Sequence, residues 1–146
     1  PQIAHRLGLS DNKGMSDLLS APNGVDWAQY IQQSDCLDVI SAGARCSNPS
    51  ELVLSENLDS LIAELRKKYD YVIIDTAPVE SVSDTFALTR FADATLYVCR
   101  ANHTSKNCVF NAVDFATEGS LKNVVFVLND TEEKKAYGYS AKHMRG

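Results

Sequence analysis

A chain of 146 residues with 45% hydrophobic and 23% charged residues has the size for one hydrophobic core and the composition of an ordinary globular domain, which excludes disordered and fibrous classes. Its formal charge of -5 argues against nucleic acid as a partner, because that affinity comes from clustered Lys and Arg, and the short run Arg66-Lys67-Lys68 is too small to reverse the balance. No stretch approaches the roughly 20 apolar residues of a membrane span, so any membrane link is expected outside these residues.

After a start without clear period, Gly14-Met15-Ser16-Asp17-Leu18-Leu19-Ser20 reads as a short helix stopped by the turn Pro22-Asn23-Gly24. Trp27, Tyr30 and Ile31 follow at roughly helical spacing. Leu37-Asp38-Val39-Ile40-Ser41 alternates as a short strand that ends in Ala42-Gly43. Asn48-Pro49-Ser50-Glu51 opens another helical piece, with Asn placed to cap and Pro in the first turn.

The spacing predicts a helix over residues 55–68. Leu58, Leu61, Ile62 and Leu65 form its apolar stripe, with Glu56 and Asp59 near the start and Arg66, Lys67 and Lys68 near the end, as the helix dipole favours. Tyr71-Val72-Ile73-Ile74-Asp75 is an apolar run closed by a carboxylate, the pattern of a strand buried on both faces of a parallel sheet. Residues 94–99 and 124–128 repeat it. Helices are predicted between them at 83–91 and 105–118, the latter with Val109, Ala112, Val113 and Ala116 on one face. Strand and helix alternate, so the fold class is α/β with a mostly parallel sheet and helices on both faces. The expected organisation is one domain over residues 1–130 and a flexible tail from 131 to 146, in which Glu132-Glu133-Lys134-Lys135 leads to Tyr137 and Tyr139.

The four cysteines, Cys36, Cys46, Cys99 and Cys108, form no C-x-x-C pair and have no His at ligand spacing, so they read as reduced thiols, with Cys99 as a small buried hydrophobe. His5, His103 and His143 are isolated and read as surface residues. In an open parallel sheet ligands sit beyond the carboxyl ends of the strands. That rule selects Ala42-Gly43, Asp75-Thr76, Arg100-Ala101-Asn102 and Asn129-Asp130. Asp75, in an apolar run followed by Thr-Ala-Pro, has the form of a Walker B acid that holds Mg²⁺ beside nucleotide phosphates; the plain alternative is a carboxylate that ends a strand or caps a turn. The G-x-x-x-x-G-K-[ST] loop that should accompany it is not among these residues.

Several of these segments together resemble the cytoplasmic kinase domain of the bacterial tyrosine kinases that regulate capsular and exopolysaccharide export. The segment from Gly14 to Leu19 is similar to a Gly-Leu-Ser-Asp segment of that family. The run from Leu37 to Gly43 is similar to its strand leading into a Pro-Ala-Gly turn, with Ser41 in place of Pro. Asn48-Pro49-Ser50-Glu51-Leu52 followed by Leu54-Ser55-Glu56 is the most telling likeness, and Tyr69-Asp70-Tyr71-Val72-Ile73-Ile74-Asp75-Thr76-Ala77-Pro78-Val79 comes next. Asp84, Ala92-Asp93-Ala94-Thr95 and Val98-Cys99-Arg100 continue it. Ala77 departs from the family's double proline.

The resemblance implies a P-loop NTPase-like fold without its Walker A strand and loop, and phosphoryl transfer from ATP with Mg²⁺ to tyrosines, Tyr137 and Tyr139 standing where an acceptor cluster begins. Asp75 is the implied metal-holding acid. Asn129 matches a position near the adenine base in related ATPases, and Arg100 is placed to face nucleotide or a partner's carboxylate. A homo-oligomeric ring, a membrane activator and a position at the cytoplasmic face of the cell membrane are implied as well. So is an N-terminally truncated fragment, inactive alone and with weak or no nucleotide binding. Removing a central strand leads us to expect either a rewired sheet, in which residues 72–75 pair with another strand of this chain, or support by another chain. Two further readings share the pattern: an ATPase of the partition or septum-positioning type, and a non-catalytic adaptor.

Overall fold

The computed structural model describes residues 2–22, 24–79 and 84–131, without the side chains of Gln2 and Asp84. The chain divides into two compact units, Pro1–Phe91 and a second that begins at Ala92.

The first unit opens with helix α1, Gln2–Arg6, which the sequence pattern did not announce, and α2, Met15–Ser20. Trp27–Tyr30 forms a 3₁₀ turn capped by the Asp26 carboxylate, which accepts from the Ala28 amide. β1, Gln32–Ser34, and β2, Leu37–Val39, pair antiparallel, with Gln32 opposite Val39 and Ser34 opposite Leu37. Asp35 turns between them at φ 49°. The strand expected to end in Ala42-Gly43 is therefore half of a hairpin and not a parallel strand. A two-residue connection can join only antiparallel neighbours, and β1, with Gln32 and Gln33, carries no apolar run to signal it.

α3, Pro49–Val53, and α4, Glu56–Lys68, follow. Asn48 precedes α3 as expected, but its amide donates to the Glu51 carboxylate at 2.7 Å and caps no backbone group. Ser55 caps α4 by accepting from the Leu58 amide. The four stripe residues Leu58, Leu61, Ile62 and Leu65 are all buried, and with Leu18, Leu19 and Tyr30 they form the core of this unit. Asn57 donates to the carbonyls of Leu19 and Ala21 at 3.1 and 3.0 Å, which closes the end of α2. α5, Asp84–Leu88, runs into a 3₁₀ turn at Thr89–Phe91. Its first turn touches the preceding segment through Thr85, a buried hydroxyl that donates to the Ala77 carbonyl at 3.2 Å.

The run predicted as an interior strand is not one. Residues 71–78 carry no regular secondary structure, and Tyr71 and Ile73 are 88% and 87% exposed. The rewired sheet is not formed either: among the described residues the only ladders are β1 with β2 and β3, Thr95–Arg100, with β4, Val124–Asn129. A strand is defined by its hydrogen-bonded neighbours. Four residues of high β propensity and a carboxylate, with no ladder beside them, remain an uncovered segment.

The second unit holds the parallel pair. Thr95 lies opposite Val124 and Arg100 opposite Asn129, with α6, Lys106–Thr117, as the crossover. Ser105 caps α6 by accepting from the Cys108 amide, and the Tyr97 hydroxyl donates to the Cys108 carbonyl at 3.2 Å, which ties the helix to one face of β3. Ala112, Leu121 and Cys99 are buried, as expected for Cys99. Val113, predicted on the covered face of α6, is exposed. So are Leu96, Val98, Val125 and Leu128, although these strands were expected to be buried on both faces. Alternation along the strands accounts for Leu96, Val98 and Val125: Thr95, Tyr97 and Cys99 share the face that α6 covers, and among the described residues of this unit nothing lies over the other, whereas Leu128, opposite Cys99, is on the α6 face and exposed all the same.

Candidate functional site

Asp75 ends the apolar run, and its side chain is exposed, as is that of Thr76. The sequence placed it on a strand end; the structure places it in the uncovered segment, which Thr85 ties down through the Ala77 carbonyl. Thr85 was not foreseen from the sequence, and a Thr two residues after Ser83 carries no signal for it.

The loop that follows β2 is fixed more firmly. The Met15 and Ser16 amides donate to the Ser41 and Ala42 carbonyls at 2.8 and 3.0 Å, and the Ser16 hydroxyl donates to the Ala44 carbonyl. Asp11 accepts from the Gly43 amide and Asp17 from the Gly14 amide. The two glycines make this approach possible. A Cβ on Gly14 would lie 2.3 Å from the Ser41 oxygen, and Gly43, at φ 80°, would set a Cβ 2.6 Å from the Asp17 carboxylate. Gly14 and Gly43 thus owe their place to a seam between α2 and the strand end, and that seam takes up the first amides of α2 that an anion would otherwise use.

Arg100 and Asn129 do lie side by side at the carboxyl ends of β3 and β4, as their positions in the sequence implied. Both side chains are engaged. Arg100 donates through Nε to the Asp130 carboxylate at 2.7 Å, an exposed ion pair, and Asn129 accepts from the Asp130 amide at 2.8 Å. Asp130 sits at φ 58°, the left-handed conformation that Asn and Asp tolerate. The Thr104 hydroxyl accepts from the Arg100 amide at 2.8 Å. Asp130 was among the strand-end residues selected from the sequence; Thr104 was not, and a Thr in the turn after a strand carries no signal for it. Tyr137 and Tyr139 lie outside the described residues. His5 and His103 are exposed, as expected, and His143 also lies outside them.

Among the described residues no three His, Cys, Asp or Glu side chains gather to hold a metal ion. Mg²⁺ asks for six oxygens in octahedral array, and Asp75 is one exposed carboxylate without a phosphate loop. By themselves these residues do not fit a magnesium nucleotide. No helix among the described residues is long and apolar enough to cross a membrane.

No family model matches the chain. Individual relatives do. Tyrosine-protein kinase ptk of Acinetobacter johnsonii is 30% identical over 133 residues, which are 91% of this chain and 18% of that protein. Tyrosine-protein kinase wzc of Salmonella typhimurium is 32% identical over 137 residues, 91% of this chain and 19% of its own length. The crystal structure of the VpsO kinase domain superposes with a TM-score of 0.80 at 33% identity and covers 90% of this chain and 66% of its own. The chain thus spans under a fifth of those two curated relatives and about two thirds of that kinase-domain chain. The likeness runs through every segment described above, from α2 to β4, and on it this chain belongs to the bacterial tyrosine-kinase family and has the α/β, P-loop NTPase-like fold of its kinase domains.

Proposed function

We propose that this chain supplies the Walker B half of an ATP-dependent protein-tyrosine autokinase that serves capsular or exopolysaccharide biosynthesis. The observation that carries the reading is the agreement over 91% of the chain, at 32% identity, with a protein named as a tyrosine kinase, in which Asp75 closes an apolar run as a Walker B acid does. In this reading Asp75 holds Mg²⁺ through water once a phosphate-binding loop stands beside it. Asn129 lies toward the base, Arg100 exchanges Asp130 for nucleotide or a partner's carboxylate, and Tyr137 and Tyr139 are acceptors. A homo-oligomeric ring, a membrane activator and a place at the cytoplasmic face of the membrane belong to the same proposal, as does the division into a domain up to residue 130 and a tail beyond it.

The chain alone lacks the lysine and glycines that cradle phosphates, so incubation with Mg-ATP is expected to give no phosphotyrosine. The longest natural form of the protein is expected to label itself, and Asp75→Asn in that form to lower the rate by at least about a hundredfold, the size of effect expected when a group that stabilises transferring charge is removed. Robust labelling of the 146-residue chain alone contradicts the assignment of essential residues.

A further inference from the structure

Tyr69 differs from the other described tyrosines in the acceptor that its hydroxyl has found. Tyr30 is buried, Tyr71 is exposed in the uncovered segment, and Tyr97 bonds a backbone carbonyl. Tyr69 follows the last turn of α4 with its ring half-buried against the main core. Its hydroxyl reaches the surface and donates to the carboxylate of Asp38, an exposed residue on β2, at 2.5 Å. Beside it the Lys68 ammonium stands 5.2 Å from the Tyr69 ring centre and 4.9 Å from that of Trp27. A surface groove of about 460 Å³, lined by Ala28, Ile31, Gln33, Asp38 and Lys68, opens at this pair.

A phenol is a poor nucleophile until a base within hydrogen-bond reach accepts its proton, and kinases use a carboxylate for that purpose. Here the acceptor tyrosine already has one. The hydrogen bond to the Asp38 carboxylate also holds the Tyr69 phenol above its ordinary value. Resting on the reading that the family phosphorylates tyrosine, we infer that Tyr69 is a phosphoacceptor whose proton passes to Asp38, and that its phosphorylation releases the β1–β2 hairpin from the end of α4. In the transfer a bond forms between the Tyr69 oxygen and the γ-phosphorus of a nucleoside triphosphate held by a kinase. The bond from that phosphorus to the bridging oxygen breaks, the diphosphate leaves, and the phenolic proton goes to Oδ2 of Asp38. Asp38 then gives that proton up to solvent, which leaves a dianion where a hydrogen-bond donor stood, next to a carboxylate; like charge drives the hairpin off, while the Lys68 ammonium attracts the phosphate.

The test uses the 146-residue chain with Mg-ATP and the complete, active kinase domain of a relative, with a Glu/Tyr copolymer as internal control. Phosphorylation sites are mapped by mass spectrometry, and amide exchange is followed in Gln32–Ser34 and Leu37–Val39. Phosphate is expected on Tyr69, at a rate relative to the copolymer that falls at least about tenfold in Asp38→Asn, and exchange in both strands is expected to quicken after labelling but not in Tyr69→Phe. Asp38→Glu, which keeps the carboxylate, is expected to recover most of the rate even if Asp38→Asn loosens the hairpin. Labelled copolymer with Tyr69 unlabelled, equal relative rates in the wild type and Asp38→Asn, or unchanged exchange after labelling overturns the inference. Because the kinase is supplied, none of these outcomes depends on whether this chain forms part of a catalyst.

Discussion

At the level of single residues, the structure separates positions that share a chemistry but not a surrounding. Gly43 and Gly119 both lie at positive φ, yet a Cβ at Gly119 meets nothing within 4 Å whereas one at Gly43 meets the Asp17 carboxylate and the Gly14 amide. Gly119→Ala is expected to cost about 1 kcal/mol from backbone strain alone, and Gly43→Ala at least about 2 kcal/mol, because the α2 seam must also part; urea unfolding of the two variants compares them directly. Asn57→Ala leaves two carbonyls at the end of α2 without their donor and is expected to cost about 1–2 kcal/mol in the same measurement. The alkaline limb of stability provides a further check. Tyr69 is raised above its ordinary value of 10.0, first by its hydrogen bond to Asp38, so the folded chain holds that proton more tightly than the unfolded one. Its contribution is whole below pH 10 and is lost as pH rises through the higher folded value. In Tyr69→Phe the fall in stability above pH 10 is therefore expected to be shallower than in the wild type.

At the level of elements, α4 shows what a sequence conveys when one helix carries all of its own signals. Ser55, the four-residue stripe and the basic last turn are local features, and each appears where expected. Leu61→Ala, at a site 4% exposed in the core of the first unit, is expected to cost about 2–5 kcal/mol, while Leu54→Ala, 66% exposed, stays within about 0.5 kcal/mol. The hairpin was half legible. β2 alternates and was found, whereas β1 is three polar residues whose only mark is the partner across the turn. Residues 71–75 have the composition of a buried strand, and composition reports the surroundings for which a segment is suited; whether a neighbour supplies the ladder is not a property of those five residues. The same holds for Leu96, Val98, Val125 and Leu128, whose apolar character foretold a cover that the described residues of the second unit do not provide. Of the site, Arg100 and Asn129 were legible as neighbours at strand ends because those positions follow from the α/β pattern, whereas Asp75, expected at a strand end, ends no strand. Asp130 was selected with Asn129 by the same rule, but Thr85 and Thr104 were not, because single hydroxyls in turns carry no periodicity.

For the molecule as a whole, the order of segments and the superposition on a kinase domain agree on the family, while among the described residues Asp75 stands as a lone exposed carboxylate. Mg²⁺ and nucleotide therefore become informative only where a phosphate loop is present. The account stands on Asp75 as the magnesium-holding acid, and the most direct measurement is calorimetric titration of Mg-ADP into the longest natural form of the protein, wild type against Asp75→Asn, with and without Mg²⁺. The account predicts magnesium-dependent heat in the wild type and an affinity weakened at least about tenfold in the variant, equivalent to about 1.4 kcal/mol; equal magnesium-dependent binding by both proteins would contradict it.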